Sequence, residues 1–164
     1  REAESKRIER VPQIMVMREM ADTRPTFILQ RGEYAERGDR VTADTPPQLF
    51  AYPEDFPRDR LGLAQWLLNP KHPLTARVAV NRLWQLCFGR GLVVTPEDFG
   101  IQGDPPSHPE LLDYLAIQYR ESGWDTKAFL RMLVMSSTYR QICSVTRALV
   151  EHDPANVLLA RRPR

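Results

Sequence analysis

This chain has little of what metal, haem or disulfide chemistry needs. Among 164 residues there are two cysteines and three histidines. Cys87 and Cys143 lie far apart, and His72, His108 and His152 are equally scattered. A structural zinc site wants Cys and His clustered at fixed spacings, and a c-type haem wants Cys-x-x-Cys-His; neither pattern occurs. No metal or cofactor is therefore expected in the chain itself. Cys87, inside an apolar helical run, reads as a buried free thiol, with a disulfide as the alternative if the protein is exported. No apolar run approaches the roughly 18 residues of a membrane span. No charge of one sign dominates either, because 23 basic residues face 21 acidic ones for a net charge of +2. That balance gives no argument for a membrane surface, and with arginines spread along the chain it argues against nucleic acid as partner. Gly-x-Gly-x-x-Gly after a strand, a phosphate-binding loop and Gly-x-Ser-x-Gly are all missing. No repeat and no low-complexity tract is present. No catalytic signature emerges.

What is there points to a globular, mostly helical domain. Hydrophobic residues make up 42% of the chain, too many for a disordered one. Lysine occurs only at positions 6, 71 and 127, so nearly all the basic residues are arginine. Genomic base composition is the simpler account; a supply of planar donors for carboxylates or phosphates is the functional one. The 14 prolines gather at element boundaries and suggest rigid connections. There is no initiator Met, no signal peptide, and an ending in Ala-Arg-Arg-Pro-Arg without a helix cap. The expectation is a piece of a longer polypeptide.

The pattern along the chain predicts a mainly α (α+β) fold. Residues 1–11 are charged and could form a short helix. Residues 13–20 and Thr26 to Arg31 are two strand candidates that could pair as a hairpin. From Gly32 to Asp59 the chain is polar and Pro-rich, an extended arm. Helices are predicted from Arg60 to Leu68, from Leu74 to Phe88 with Gly89 as the stop, after Ser107, and from Asp125 to about Thr138. Ser107-His108-Pro109-Glu110 reads as a capping box, and Asp125 as a cap flanked by the staple Trp124 and Phe129. Thr95-Pro96-Glu97-Asp98 predicts a single helical turn. The expected organisation is a hairpin and arm over residues 1–59 packed on the core, a core of about four helices over 60–145, and the start of a truncated segment over 146–164.

Three features invite a chemical reading. Glu97, Asp98, Asp104, His108 and Glu110 place carboxylates beside an imidazole, as general acid–base work requires, although capping accounts for Asp98 and Glu110 directly. Asn81-Arg82 sits inside an apolar helical run. There a polar pair suggests a hydrogen-bonded network, with Asp98 as the expected partner of Arg82 and a backbone group as that of Asn81. The floor of a ligand pocket is the other reading. Arg90, between Gly89 and Gly91, could meet an anion, but a structural turn explains the glycines. Ser136-Ser137-Thr138 lies at a helix end, where hydroxyls bond nearby backbone.

One long motif string carries a resemblance. It runs through Leu74-Thr75-Ala76-Arg77-Val78-Ala79-Val80-Asn81-Arg82-Leu83-Trp84-Gln85, Phe88-Gly89-Arg90-Gly91-Leu92-Val93 and Thr95-Pro96-Glu97-Asp98-Phe99-Gly100. It continues in Pro106-Ser107-His108-Pro109-Glu110-Leu111-Leu112-Asp113 and Ser136-Ser137-Thr138-Tyr139-Arg140-Gln141. Together these resemble a domain of unknown function from Planctomycetes and related bacteria. That domain forms the C-terminal part of large surface or periplasmic proteins, which commonly also carry a planctomycete cytochrome c domain. Met15-Val16-Met17 and Arg24-Pro25-Thr26 look like the family's opening hairpin. Asp153-Pro154-Ala155-Asn156 looks like the start of a further family segment. Cys87 departs from the pattern, where the family more often has His or another polar residue.

The resemblance implies a periplasmic or cell-surface location, haem c in a neighbouring domain, and other domains of the same polypeptide as partners, with glycans as further candidates. It implies no activity and no catalytic residues. Within the string, Asn81, Arg82, Trp84, Ser107, Tyr139 and Arg140 are expected to be structural. The expected function is a non-catalytic interaction or scaffold module. The alternative is a carbohydrate-binding or hydrolytic unit with a pocket near Arg82, Asp98, His108 and Glu110.

Overall fold

A computed structural model describes residues 14–161 of the chain. The element order is β1 (Thr26–Leu29), β2 (Arg37–Val41), α1 (Arg60–Leu67), α2 (Thr75–Phe88), α3 (Pro109–Glu121), α4 (Thr126–Met135) and α5 (Arg147–His152). The fold is mainly helical with one small hairpin.

The core is built by helical spacing. Val80, Trp84 and Phe88 of α2 stand four residues apart and share one face. They meet Leu112, Leu115 and Tyr119 of α3, Phe129 and Leu133 of α4, and Leu92 and Val93 from the turn after α2. Leu83, Leu111 and Trp124 pack around this cluster. The helix ends follow local rules. Gly89 (φ 77°) and Gly123 (φ 72°) adopt the left-handed conformation that stops a helix. At the start of α4 the Asp125 carboxylate accepts from the amides of Lys127 and Ala128, each at 3.0 Å. Trp124 and Phe129 both pack on Tyr119, with ring centroids 5.3 and 5.0 Å away. α4 ends earlier than its pattern predicts, at Met135, because Ser136 Oγ donates to the Leu133 carbonyl at 2.6 Å.

The hairpin differs from the expected one. Residues 14–20 form no strand, and their apolar side chains are exposed. β1 instead pairs antiparallel with β2, in the register Thr26 with Val41 and Leu29 with Arg37. The partner lies on the C-terminal side of β1, where Arg31 (φ 51°) and Gly32 (φ 77°) turn the chain back. The amide of Gln30 then donates to the Glu36 carbonyl at 3.0 Å. A short closure costs little entropy. The expected helix at 1–11 falls outside the described residues.

The Pro-rich arm lies against α1. Trp66 Nε1 donates to the Phe50 carbonyl at 2.9 Å, and the two rings stack at 6.3 Å. Gly62 makes this approach possible, since a Cβ there would run into the Pro57 carbonyl and the Tyr52 hydroxyl. His72 presents its ring edge-on to Trp66, with centroids 4.4 Å apart. Its Nδ1 accepts from the amides of Leu74 and Thr75 at 3.3 and 3.2 Å, so an imidazole satisfies orphan donors at the start of α2.

Two predictions follow from these ends. Asp125→Ala should cost about 1 kcal/mol in a urea melt, the usual loss for a cap. Burial holds the His72 pKa below its ordinary 6.5. The unfolded state therefore binds the proton first, and the contribution of the neutral ring is intact above pH 6.5 and lost as pH falls through the lowered folded value. Stability measured between pH 7.5 and 5.5 should fall further for the natural chain than for His72→Gln.

Candidate functional site

The motif string folds around the turn that leaves α2. Asn81, a poor helix former at mid-helix, is completely buried. Its Nδ2 donates to the Val93 carbonyl at 2.9 Å, and the Val93 amide donates to Oδ1 at 2.9 Å. One side-chain amide thus acts as the strand partner that Val93 lacks. The intervening turn must pass close by. A Cβ on Gly91 would stand 2.5 Å from the Val93 carbonyl oxygen and 2.8 Å from Asn81 Nδ2. Glycine at 91 is therefore a packing requirement. The return of the chain is tied to the same turn, because the Ser107 amide donates to the Leu92 carbonyl at 2.8 Å.

Arg82 does not meet Asp98. Its Nη2 lies 3.3 Å from Glu97 Oε2, and both side chains are exposed. Asp98 instead accepts from the Gly100 amide at 2.7 Å. The reason is local. Thr95 to Asp98 form a turn and not a helical one, with the Asp98 amide on the Thr95 carbonyl and Thr95 Oγ1 donating to the Asp98 carbonyl at 2.9 Å. An aspartate in such a turn reaches the amide two residues on before it reaches another element.

The capping box is also displaced. α3 begins at Pro109 with His108 as its N-cap residue, and no side chain caps that end. Ser107 is one residue too early, held by its amide on Leu92, and its hydroxyl lies 3.0 Å from His108 Nδ1. Glu110 is exposed in the first turn, where a carboxylate complements the helix dipole. Trp84 stacks on Phe88 at 3.9 Å, and Tyr139 meets Phe88 edge-on at 5.6 Å. Arg140 is exposed.

Two polar arrangements went unmarked in the sequence. Arg77 of α2 pairs with Asp113 of α3 at 2.5 Å, and the hydrogen bond from Arg77 lowers the Asp113 pKa. Nothing in the spacing announces a pair 36 residues apart. Asp153 is buried, and its two carboxylate oxygens accept from the amides of Val157 and Leu158 at 2.7 and 2.8 Å. The 153–161 stretch folds back so that Leu159 packs on the core. The Asp-Pro-Ala-Asn signal was visible; that it closes on itself was not.

Clefts among the described residues flank this framework. One of about 460 Å³ lies between the end of α2 and the loop after α5. One of about 670 Å³ lies among the hairpin, the arm and α1. Another, about 430 Å³, lies between α2 and the loop that precedes α3. None of them is lined by Arg82, Asp98, His108 or Glu110. Among the described residues no group of three or more His, Cys, Asp or Glu could hold a metal ion. No described helix is long and apolar enough to cross a membrane.

These geometries separate two neighbouring residues. Asn81→Ala strands a buried N–H and a buried C=O of Val93 and should cost about 2–5 kcal/mol. Arg82→Ala opens only an exposed ion pair and should cost less than about 1 kcal/mol. Urea melts of the two variants check the order.

Comparison with curated proteins finds no match, and comparison with solved structures finds none. A family model described as PSD1, a protein of unknown function (DUF1553), matches residues 59–164. The matched stretch begins at the cap of α1 and takes in Asn81, the Gly89-Arg90-Gly91 turn and the Asp153 loop. The chain belongs to this PSD1 family of proteins of unknown function.

Proposed function

We propose that the chain is a non-catalytic interaction module of an exported multidomain protein, working against other domains of its own polypeptide. One observation carries this reading. Three of the side chains proposed for a catalytic or binding centre are engaged separately. Asp98 is tied to its own loop, Arg82 to Glu97 on the surface, and His108 to Ser107 at a helix start. General acid–base catalysis needs such groups within reach of one substrate atom.

Exposed apolar surface supports the same reading. Ile14, Met15, Val16, Met17 and Met20 are all open to solvent, as are Leu61, Leu63, Leu67 and Leu68 around α1. Apolar surface gathered in this way marks contact with another protein surface more often than it marks a monomer. Export, and a haem-bearing neighbour, rest on the family resemblance of the motif string.

The test is turnover. With a panel of p-nitrophenyl glycosides and p-nitrophenyl esters the chain should release no product above the buffer rate. Turnover that disappears in Asp98→Asn, His108→Ala or Glu110→Gln would replace this reading with a hydrolytic one. Binding of oligosaccharides that the same substitutions abolish would replace it with a glycan-binding one.

A further inference from the structure

The cleft between the end of α2 and the loop after α5 has a composition that the interaction reading does not use. Its volume, about 460 Å³, is that of a small-molecule site. The stacked rings of Trp84 and Phe88 line it, together with the turn that carries Arg90. Residues 154–157, Leu159 and Arg161 line it from the loop, and Cys143 is a further lining residue. Among the described residues no Asp or Glu lines it.

Among the described residues neither Arg90 nor Arg161 has a counter-charge. Arg161 donates from Nη1 to the Leu149 carbonyl at 3.3 Å and from Nη2 to the Pro154 carbonyl at 2.8 Å. Those bonds fix the guanidinium in place, with no carboxylate of the described residues to match its charge. Arg90 makes no hydrogen bond, ion pair or ring contact with any described residue. Five other described arginines, Arg58, Arg60, Arg77, Arg82 and Arg147, each have a carboxylate within 4.0 Å, and the rest have none among the described residues, so what sets Arg90 and Arg161 apart is their place on one cleft without an acidic lining residue. The turn explains the position of Arg90. Gly89 and Gly91 are fixed by backbone demands, so the residue between them projects without being needed for packing. A concave surface that gathers positive charge raises the local concentration of anions. The guanidinium fork matches the two oxygens of a carboxylate or a phosphate. The aromatic wall supplies contact area for a planar apolar body.

We propose that this cleft binds a small oxyanion, a carboxylate or a phosphate, carried on a planar apolar group, and that Arg90 engages the charge. The site stands whether or not the chain is an interaction module, because neither arginine belongs to the surfaces invoked for that role.

Cys143 supplies a reporter, being an exposed free thiol on the cleft. Its alkylation by iodoacetamide can be followed by peptide mass spectrometry on the full chain, with Cys87 quantified separately. Phenylacetate, phenyl phosphate and neutral phenylacetamide are compared at equal ionic strength. At least one of the two anions should slow alkylation of Cys143, on the order of threefold, and phenylacetamide should not. The more effective anion tells carboxylate from phosphate. Arg90→Gln should abolish the slowing with an unchanged urea melt, since Arg90 holds nothing in the fold, and Arg90→Lys should keep part of it. No slowing by either anion, equal slowing by phenylacetamide, or slowing that survives Arg90→Gln would each overturn the proposal.

Discussion

Val93 leaves α2 through a tight turn and enters the core with no strand beside it. Its peptide N–H and C=O are buried, and a buried unpaired backbone group costs about as much as a lost hydrogen bond. Asn81 answers both with one carboxamide. Most of the domain's shape depends on this pairing. It sets where the chain emerges from α2, which demands glycine at 91. It seats Leu92 and Val93 under α3, and through Leu92 it places the Ser107 amide at the approach to Pro109. A side chain that looks out of place in a helix is thus the tie between the helix and the loop that follows it.

The same tie changes the meaning of the motif residues downstream. Residues 95–104 form a small closed system, with Thr95 Oγ1 bonded both to the Asp98 carbonyl and to the Asp104 amide. Asp98 turns its carboxylate inward to the Gly100 amide, and Glu97 turns outward to Arg82. A dense run of acidic and imidazole groups is here an architecture of turns. The exposed leucines around α1, and Arg90 and Arg161 beside the α2 terminus, lie elsewhere. That separation is the ground on which we propose an interaction module with a distinct small anion site.

Sequence reasoning succeeded where a single local rule governs. The spacing of Val80, Trp84 and Phe88, the glycine stops and the Asp125 cap are each decided within a few residues, and the four main helices follow from them. It failed where two local solutions compete or where the partner is distant. Ser107 and His108 are adjacent candidates for the same cap, and the backbone bond from Ser107 to Leu92, 15 residues away, decides between them. Arg82 had two acidic neighbours within reach, and the short Asx-type turn claimed Asp98 first. The strand partner of β1 depended on Arg31 accepting a left-handed conformation, which its residue type does not announce. The role of Asn81 was legible in kind, as a buried polar group needing a partner, but its partner was a peptide unit and carries no residue signature.

Native-state hydrogen exchange at the Val93 amide tests the central tie most directly. If Asn81 holds that amide as described, it exchanges only through global unfolding, with a free energy matching that of the Trp84 amide in the middle of the core. If the Val93 amide exchanges as readily as that of Ile101 in the exposed loop, the pairing does not organise the domain and the account fails.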